Sequence, residues 1–127
     1  MGLDMYFTRE PKAKSSKDSR RYTSEVGYFR KHNALHGWLV DNAQGGLDEC
    51  QRVELSHELL TKLSSLVETA LQTREDTLFP PVAGFFFGHN TVDEWYWSKM
   101  ADTDETLKTI INTTDFETES VYYQSSW

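Results

Sequence analysis

The sequence predicts an α+β fold, in which a small, mostly antiparallel sheet of about four strands has about three helices packed on it. Short aromatic or alternating segments are typical of strands, and longer segments repeat apolar residues three and four positions apart, as helices do. The two kinds of segment alternate irregularly, and no internal repeat is present. A chain of 127 residues fits a single domain over residues 1–127.

The first predicted strand covers residues 3–8, with Leu3, Met5 and Phe7 on one face. Residues 9–21 follow, and they consist largely of Lys, Arg, Ser and Asp, with Pro11 near their start. This composition cannot bury enough surface to order itself. We therefore expect a mobile basic loop over residues 9–21.

Three further strands are predicted in the rest of the chain, at residues 51–55, 82–88 and 118–125. The second of these is a short apolar run between glycines, which indicates a buried strand. Alternation in the last strand places Val121 and Tyr123 on the face opposite to Tyr122.

Three helices are predicted from apolar spacing, at residues 28–43, 59–71 and about 98–112. The first is expected to end before Gly45 and Gly46. Ser56 is a good N-cap for the second helix, and Asp93 or Glu94 can cap the third.

Composition excludes several classes of protein. Cys50 is the only thiol, so an internal disulfide and a cysteine-based zinc site are ruled out. No apolar run approaches the roughly 18 residues of a membrane span, and the N-terminus lacks a secretory signal. We expect a protein of the cytoplasm, with no membrane association.

Charge is distributed unevenly along the chain. Residues 1–36 hold eight Lys/Arg and four Asp/Glu, whereas residues 37–127 hold five and sixteen, and the whole chain carries −7. A dominantly acidic body disfavours nucleic acid, because phosphate contacts supply most of that affinity. We therefore expect no nucleic-acid binding and a partner with a basic surface.

The common nucleotide, zinc-protease and serine-hydrolase motifs are absent from the sequence. His32 and His36 have the i, i+4 spacing of a metal clamp, but no third ligand is evident nearby, so two polar residues on a solvent face are the simpler interpretation. We expect no metal and no cofactor.

A polar cluster on the first predicted helix is one candidate site. It consists of Arg30, Lys31, Asn33 and His36, beside Tyr28 and Trp38. Arginine as a bidentate hydrogen-bond donor and histidine as a titratable donor could bind a carboxylate or phosphate. The alternative is a solvated helix face without a function.

Two aromatic segments are the other candidates. In the first segment, Asp93 or Glu94 can cap a helix and the aromatic Trp95 can fill the core. Alternatively, the segment forms part of a protein interface, where tryptophan often dominates the binding energy. The C-terminal Tyr122, Tyr123 and Trp127 either close the edge of the core or line a groove for a ligand or partner.

Five segments together resemble a family of small uncharacterised proteins of bacteriophages and prophages. They are the opening MGLDMY, the Tyr28-x-Arg30-Lys31-x-Asn33-x-x-His36-x-Trp38 segment, GFFFG at residues 84–88, DEWY at residues 93–96 and the YYxSSW ending. The resemblance spans most of the chain outside residues 9–21. It implies a bacterial host cell as the setting, in which similar small acidic proteins bind and disable host enzymes or defence complexes. It implies no activity, substrate or cofactor.

Three functions stay open at this point. The first is a noncatalytic accessory protein that binds a host or phage protein. The second is a small enzyme or ligand-binding module, with a polar pocket formed by Arg30, Asn33, His36 and Asp93 or Glu94. The third is an acidic DNA mimic, which the basic N-terminal part and the many aromatics disfavour. Exposed aromatics could also bury one another in a symmetric homodimer.

Overall fold

The computed structural model describes residues 2–12, 23–81 and 92–127. The strands in this part of the chain are β1 (Asp4–Pro11), β2 (Ser24–Arg30), β3 (Val53–Leu55) and β4 (Glu119–Ser126). The helices are α1 (Asn33–Ala43), α2 (His57–Thr73) and α3 (Glu94–Thr113). The α+β prediction is confirmed. None of these helices is long and apolar enough to cross a membrane.

The described strands form one antiparallel sheet in the order β2-β1-β4-β3. The first and last strands of the chain are therefore the central pair. Tyr6 on β1 stands opposite Tyr28 on one side and Gln124 on the other. A register shift after Phe7 inserts one extra residue, Val26, into β2.

The helices all pack against one face of this sheet. Alternate residues of β1 and β4, including Met5, Phe7, Val121 and Tyr123, point to that face and are fully buried. They form a single apolar cluster with side chains from α1, α2 and α3. The residues predicted to share a face in β1, and the opposite orientation of Tyr122 and Tyr123 in β4, agree with this arrangement.

The predicted helix at residues 28–43 begins too early. Residues 28–30 belong to β2, a strand that was not predicted, and the helix starts only at Asn33. Tyr28 and Phe29 alternate between the two faces of the sheet, so pairing with β1 satisfies both rings better than a helical turn. Lys31, with φ of 57°, turns the chain sharply between strand and helix.

Gly27 allows α3 to approach β2 closely. A Cβ at this position would lie 2.9 Å from Thr106 Cγ2 and 3.4 Å from Phe7 Cβ. The glycine that interrupts an aromatic strand is therefore explained by helix packing.

The predicted loop at residues 9–21 also begins too early, because β1 continues to Pro11. Arg9 is held by the hydroxyls of Thr113 and Thr114 at the end of α3, at 2.9 and 3.0 Å. The Lys12 N–H donates to the Thr118 carbonyl at 2.8 Å. Residues 13–22, and the strand predicted at residues 82–88, lie outside the described residues.

The positions of α2 and α3 agree with the second and third predicted helices, but α3 is longer than predicted. The Ser56 hydroxyl accepts from the Leu59 N–H at 3.0 Å and caps α2. The Asp93 carboxylate accepts from the Tyr96 N–H at 3.1 Å and caps α3, so this helix starts at Glu94, four residues before the predicted position.

Candidate functional site

The sheet face turned away from the helices is the first candidate site, and we call it the open sheet face. Strand alternation places Tyr6, Tyr28 and Tyr122 on it, one from each of β1, β2 and β4. Within residues 2–12, 23–81 and 92–127, no helix covers it. Tyr28 is 46% exposed, and Tyr6 and Tyr122 are half-buried.

One end of the open sheet face is a fixed pair of rings. The centroids of Tyr6 and Tyr28 are 5.4 Å apart, and the ring planes are tilted by 49°. The Tyr28 hydroxyl donates to Asp4 Oδ1 at 2.6 Å. This hydrogen bond, together with partial desolvation, raises the pKa of Tyr28, so the phenol stays protonated and the ring stays oriented.

The other end holds a stacked arginine. The Arg52 guanidinium carbon lies 3.5 Å from the centroid of the Tyr122 ring, and Arg52 Nη2 lies 3.0 Å from Glu10 Oε2. The same Glu10 oxygen accepts the Thr23 hydroxyl at 2.8 Å. A nearly buried carboxylate thus fixes a cation that is itself 40% exposed.

A buried polar network lies on the helix side of the sheet, between α1 and β4. His36 Nδ1 is 2.6 Å from the Tyr123 hydroxyl, and His36 Nε2 is 3.0 Å from Asp48 Oδ2. The contact of Nε2 with Asp48 has ion-pair distance but not hydrogen-bond geometry; in a neutral imidazole a carboxylate neighbour favours the proton on Nε2, which leaves Nδ1 to accept from Tyr123. Burial, and then the charge of Asp48, raise the pKa of Tyr123 well above its usual value.

Trp127 extends this network to the surface. Its indole N–H donates to Asp48 Oδ1 at 3.1 Å, while the ring remains 40% exposed. The C-terminal tryptophan is therefore held by the same carboxylate that faces His36.

His32 is held separately from His36. The Thr103 hydroxyl donates to the Lys99 carbonyl at 2.7 Å, so its oxygen accepts from His32 Nε2–H at 2.8 Å. Desolvation, and then the charge of Lys99, lower the pKa of His32 to about 3. Both histidines are only 1% exposed, so the interpretation of two polar residues on a solvent face is wrong. His36 lies on the buried side of α1, whereas His32 precedes the helix and packs edge-on against Phe29.

The chemistry open to this network is limited by its burial. Tyr123, with a raised pKa, and His36 have no open path to a substrate among the described residues, since both are almost fully enclosed. Within those residues, no group of three or more His, Cys, Asp and Glu side chains is placed to hold a metal. The network fits a structural role, in which it joins α1, β4 and the segment containing Asp48.

A second surface lies where α3 begins. Asp93 caps the helix, Glu94 follows in its first turn, and Trp95 is 38% exposed with Lys99 Nζ 5.6 Å from the centroid of its ring. A shallow depression of about 410 Å³ lies beside it. The described residues that line this depression are Leu71, Arg74, Glu94, Trp97, Ser98 and Ala101.

The predicted site residues therefore fall in separate places. Tyr28, Arg30 and Tyr122 belong to the open sheet face, and Lys31 lies in the turn after β2. Asn33, His36 and Tyr123 are buried on the helix side, where Trp127 joins them through Asp48. Asp93, Glu94 and Trp95 lie at the start of α3. The polar cluster predicted around Arg30 and His36 is split by the sheet.

Four residues with specific contacts were not singled out from the sequence: Tyr6, Glu10, Asp48 and Arg52. Tyr6 had a signal, because it alternates with the apolar Met5 and Phe7 and must face away from them. The partners of Glu10, Asp48 and Arg52 are distant in sequence, so only the fold brings these contacts together.

These features define a class of protein: an open-faced α+β domain, with helices on one side of an antiparallel sheet and tyrosines on the other. Comparison with protein-family models, with curated proteins and with solved structures finds no match to the chain.

Proposed function

We propose that the protein acts noncatalytically, by binding another protein through the open sheet face. In the setting implied by the sequence resemblance, it is a phage or prophage accessory protein, and its partner is a host or phage protein. The observation that supports this most is the row of tyrosines on a sheet face that no described helix covers.

The composition of this face suits protein recognition. Tyrosine and arginine are enriched among the residues that dominate binding energy at protein interfaces, where they bury large rings and keep a polar group for hydrogen bonding. Tyr28 is oriented by Asp4 and Arg52 by Glu10, so less conformational entropy is lost when a partner docks.

The contacts on both sides of the sheet favour binding over catalysis. The pocket predicted from the sequence needs Arg30 and His36 to converge, but Arg30 stands on the open sheet face and His36 is enclosed on the helix side. Their separation supports the binding hypothesis over an enzyme that uses this pocket.

The test is affinity capture from lysates of a bacterial host, with and without phage infection. The bait is the wild-type protein, a sheet-face variant with Tyr28→Ser and Tyr122→Ser, or the control Trp95→Ala at the separate surface on α3. Circular dichroism first establishes that each bait is folded. A captured protein is then purified, its mass is checked, and its affinity for each bait is measured by calorimetry.

We expect one protein to bind the wild type and the Trp95→Ala control, to be lost from the sheet-face variant, and to keep its mass unchanged. Binding that survives in the sheet-face variant but is lost with Trp95→Ala would move the interface to α3 and contradict the proposal. Chemical modification of the captured protein would contradict a noncatalytic role.

A further inference from the structure

The described residues of the open sheet face carry a surplus of negative charge. The strand register places on it the carboxylates of Asp4, Glu10, Glu25 and Glu54 and the cations of Arg30 and Arg52. Glu10 and Arg52 neutralise each other at 3.0 Å. Among the described residues, Asp4, Glu25 and Glu54 then remain against Arg30, which stands opposite Asp4 in the strand register, so this part of the face attracts positive charge.

The molecule already contains an example of how this face holds a cation. Arg52 lies flat over the Tyr122 ring at 3.5 Å and is fixed by the Glu10 carboxylate. An aromatic ring and a carboxylate together therefore form a seat for a guanidinium group, which combines cation–π attraction with a charge-assisted hydrogen bond.

The same combination recurs at the other end of the face, where Tyr6 and Tyr28 lie beside Asp4. Within the described ranges, no lysine or arginine is stacked on either ring. Asp4 orients the more exposed ring by accepting a hydrogen bond from its hydroxyl, and no hydrogen bond within the described residues uses the second oxygen of this carboxylate. Tyr6, Tyr28 and Asp4 therefore form a second seat of this kind. Arg52 occupies the first seat, on Tyr122.

The charge of the whole chain acts in the same direction. The net charge is −7, and residues 37–127 hold sixteen acids against five Lys/Arg. A field of this sign steers a basic partner toward the protein and repels nucleic acid, in spite of the exposed rings that could stack on bases.

We propose that the open sheet face binds a basic segment of the partner protein and seats an arginine or lysine side chain against Tyr28 and Tyr6 beside Asp4. This inference rests on the proposed function and specifies the chemistry of the partner. Glu25 and Glu54 pair with further basic residues of the same segment as it crosses the strands.

The test uses a short fluorescein-labelled peptide of alternating Arg, Ser and Lys, with binding followed by fluorescence anisotropy at low and near-physiological salt. Tyr28→Ser removes the ring without changing the charge, whereas Tyr28→Phe keeps the ring. Asp4→Asn removes one charge at the seat but keeps an acceptor for Tyr28. Glu105→Gln removes one charge from an exposed position of α3 and is the matched control.

We expect Tyr28→Ser to weaken binding about tenfold, as loss of a cation–π contact on a fixed ring should. Asp4→Asn should weaken it severalfold, and Tyr28→Phe and Glu105→Gln should leave it close to the wild type. Equal weakening by Asp4→Asn and Glu105→Gln would mean diffuse attraction and would overturn the inference. Unchanged binding in Tyr28→Ser would do the same.

Parallel measurements test whether the open sheet face binds something other than a basic segment. Tighter binding of an acidic peptide or a single-stranded oligonucleotide would overturn the inference, as would a dimer, seen by sedimentation, that Tyr28→Ser dissociates. A captured partner that needs Tyr28 and Tyr122 but is not displaced by the basic peptide would overturn this inference and leave the proposed function intact.

Discussion

Acidification should destabilise the protein through His32. In the folded state its pKa is about 3, because the ring is fully buried and lies near Lys99. In the unfolded chain an ordinary pKa of about 6.5 applies. As the pH falls through 6.5, the unfolded state takes up a proton that the folded state does not, so stability present above that pH is lost progressively down to about pH 3.

The loss of stability can be calculated from the difference between the folded and unfolded pKa values of His32. Each pH unit below 6.5 costs about 1.4 kcal/mol for one proton, so at pH 5 the contribution of His32 is a loss of about 2 kcal/mol. Because other groups also titrate, the measured quantity is a difference between variants. The change is His32→Gln, in which an amide can still donate to the Thr103 hydroxyl, and the matched control is His57→Gln at an exposed position.

Urea unfolding at several pH values from 7.5 to about 5 gives the free energies of unfolding. We expect the wild type and His57→Gln to lose about 2 kcal/mol more than His32→Gln over this range. The same loss in all three proteins would refute the reasoning. The NMR signal of the His32 ring proton adds a direct check in the wild type, since it should not titrate between pH 7.5 and 5.

Four other substitutions test individual contacts by urea unfolding. Tyr123→Phe should cost about 1–3 kcal/mol, because His36 Nδ1 loses its buried donor, whereas Tyr122→Phe on the open face should change stability by less than about 0.5 kcal/mol; equal effects would contradict the network. Gly27→Ala should cost about 1–3 kcal/mol through the clash with Thr106, and Thr106→Ser should recover part of this loss; failure to recover would mean that the clash is not the cause. Asp93→Ala and Ser56→Ala should each cost about 1 kcal/mol as lost helix caps, and an unchanged midpoint would show that the cap contributes nothing.

The elements that the sequence predicts well are those whose signal is local. The α2 helix has a long apolar repeat behind Ser56, and β1 alternates apolar and polar residues from its start. The β2 strand was missed because its alternation is broken by the extra residue Val26 and by Gly27, and both are explained only by the pairing with β1 and the contact with α3. A local pattern cannot contain that information.

The candidate site shows the same limit. Tyr28 and Tyr122 were singled out, but Tyr28 was placed on a helix, so its pairing with Tyr6 could not be predicted. Arg30 and His36 are close in sequence and were expected to act together. The turn at Lys31 separates them, because it sends Arg30 to one side of the sheet and His36 to the other.

The alternation of β4 separates the proposed binding face from the core within one strand. Tyr123 is fully enclosed and holds His36, whereas its neighbour Tyr122 supports Arg52 on the open sheet face. A one-residue shift of register would exchange the two rings, so the long pairing of β1 with β4 fixes both the core and the face. Substitutions at Tyr28 and Tyr122 should therefore change partner affinity with little effect on the core. Substitutions at Tyr123 should act on affinity only through the stability of the sheet.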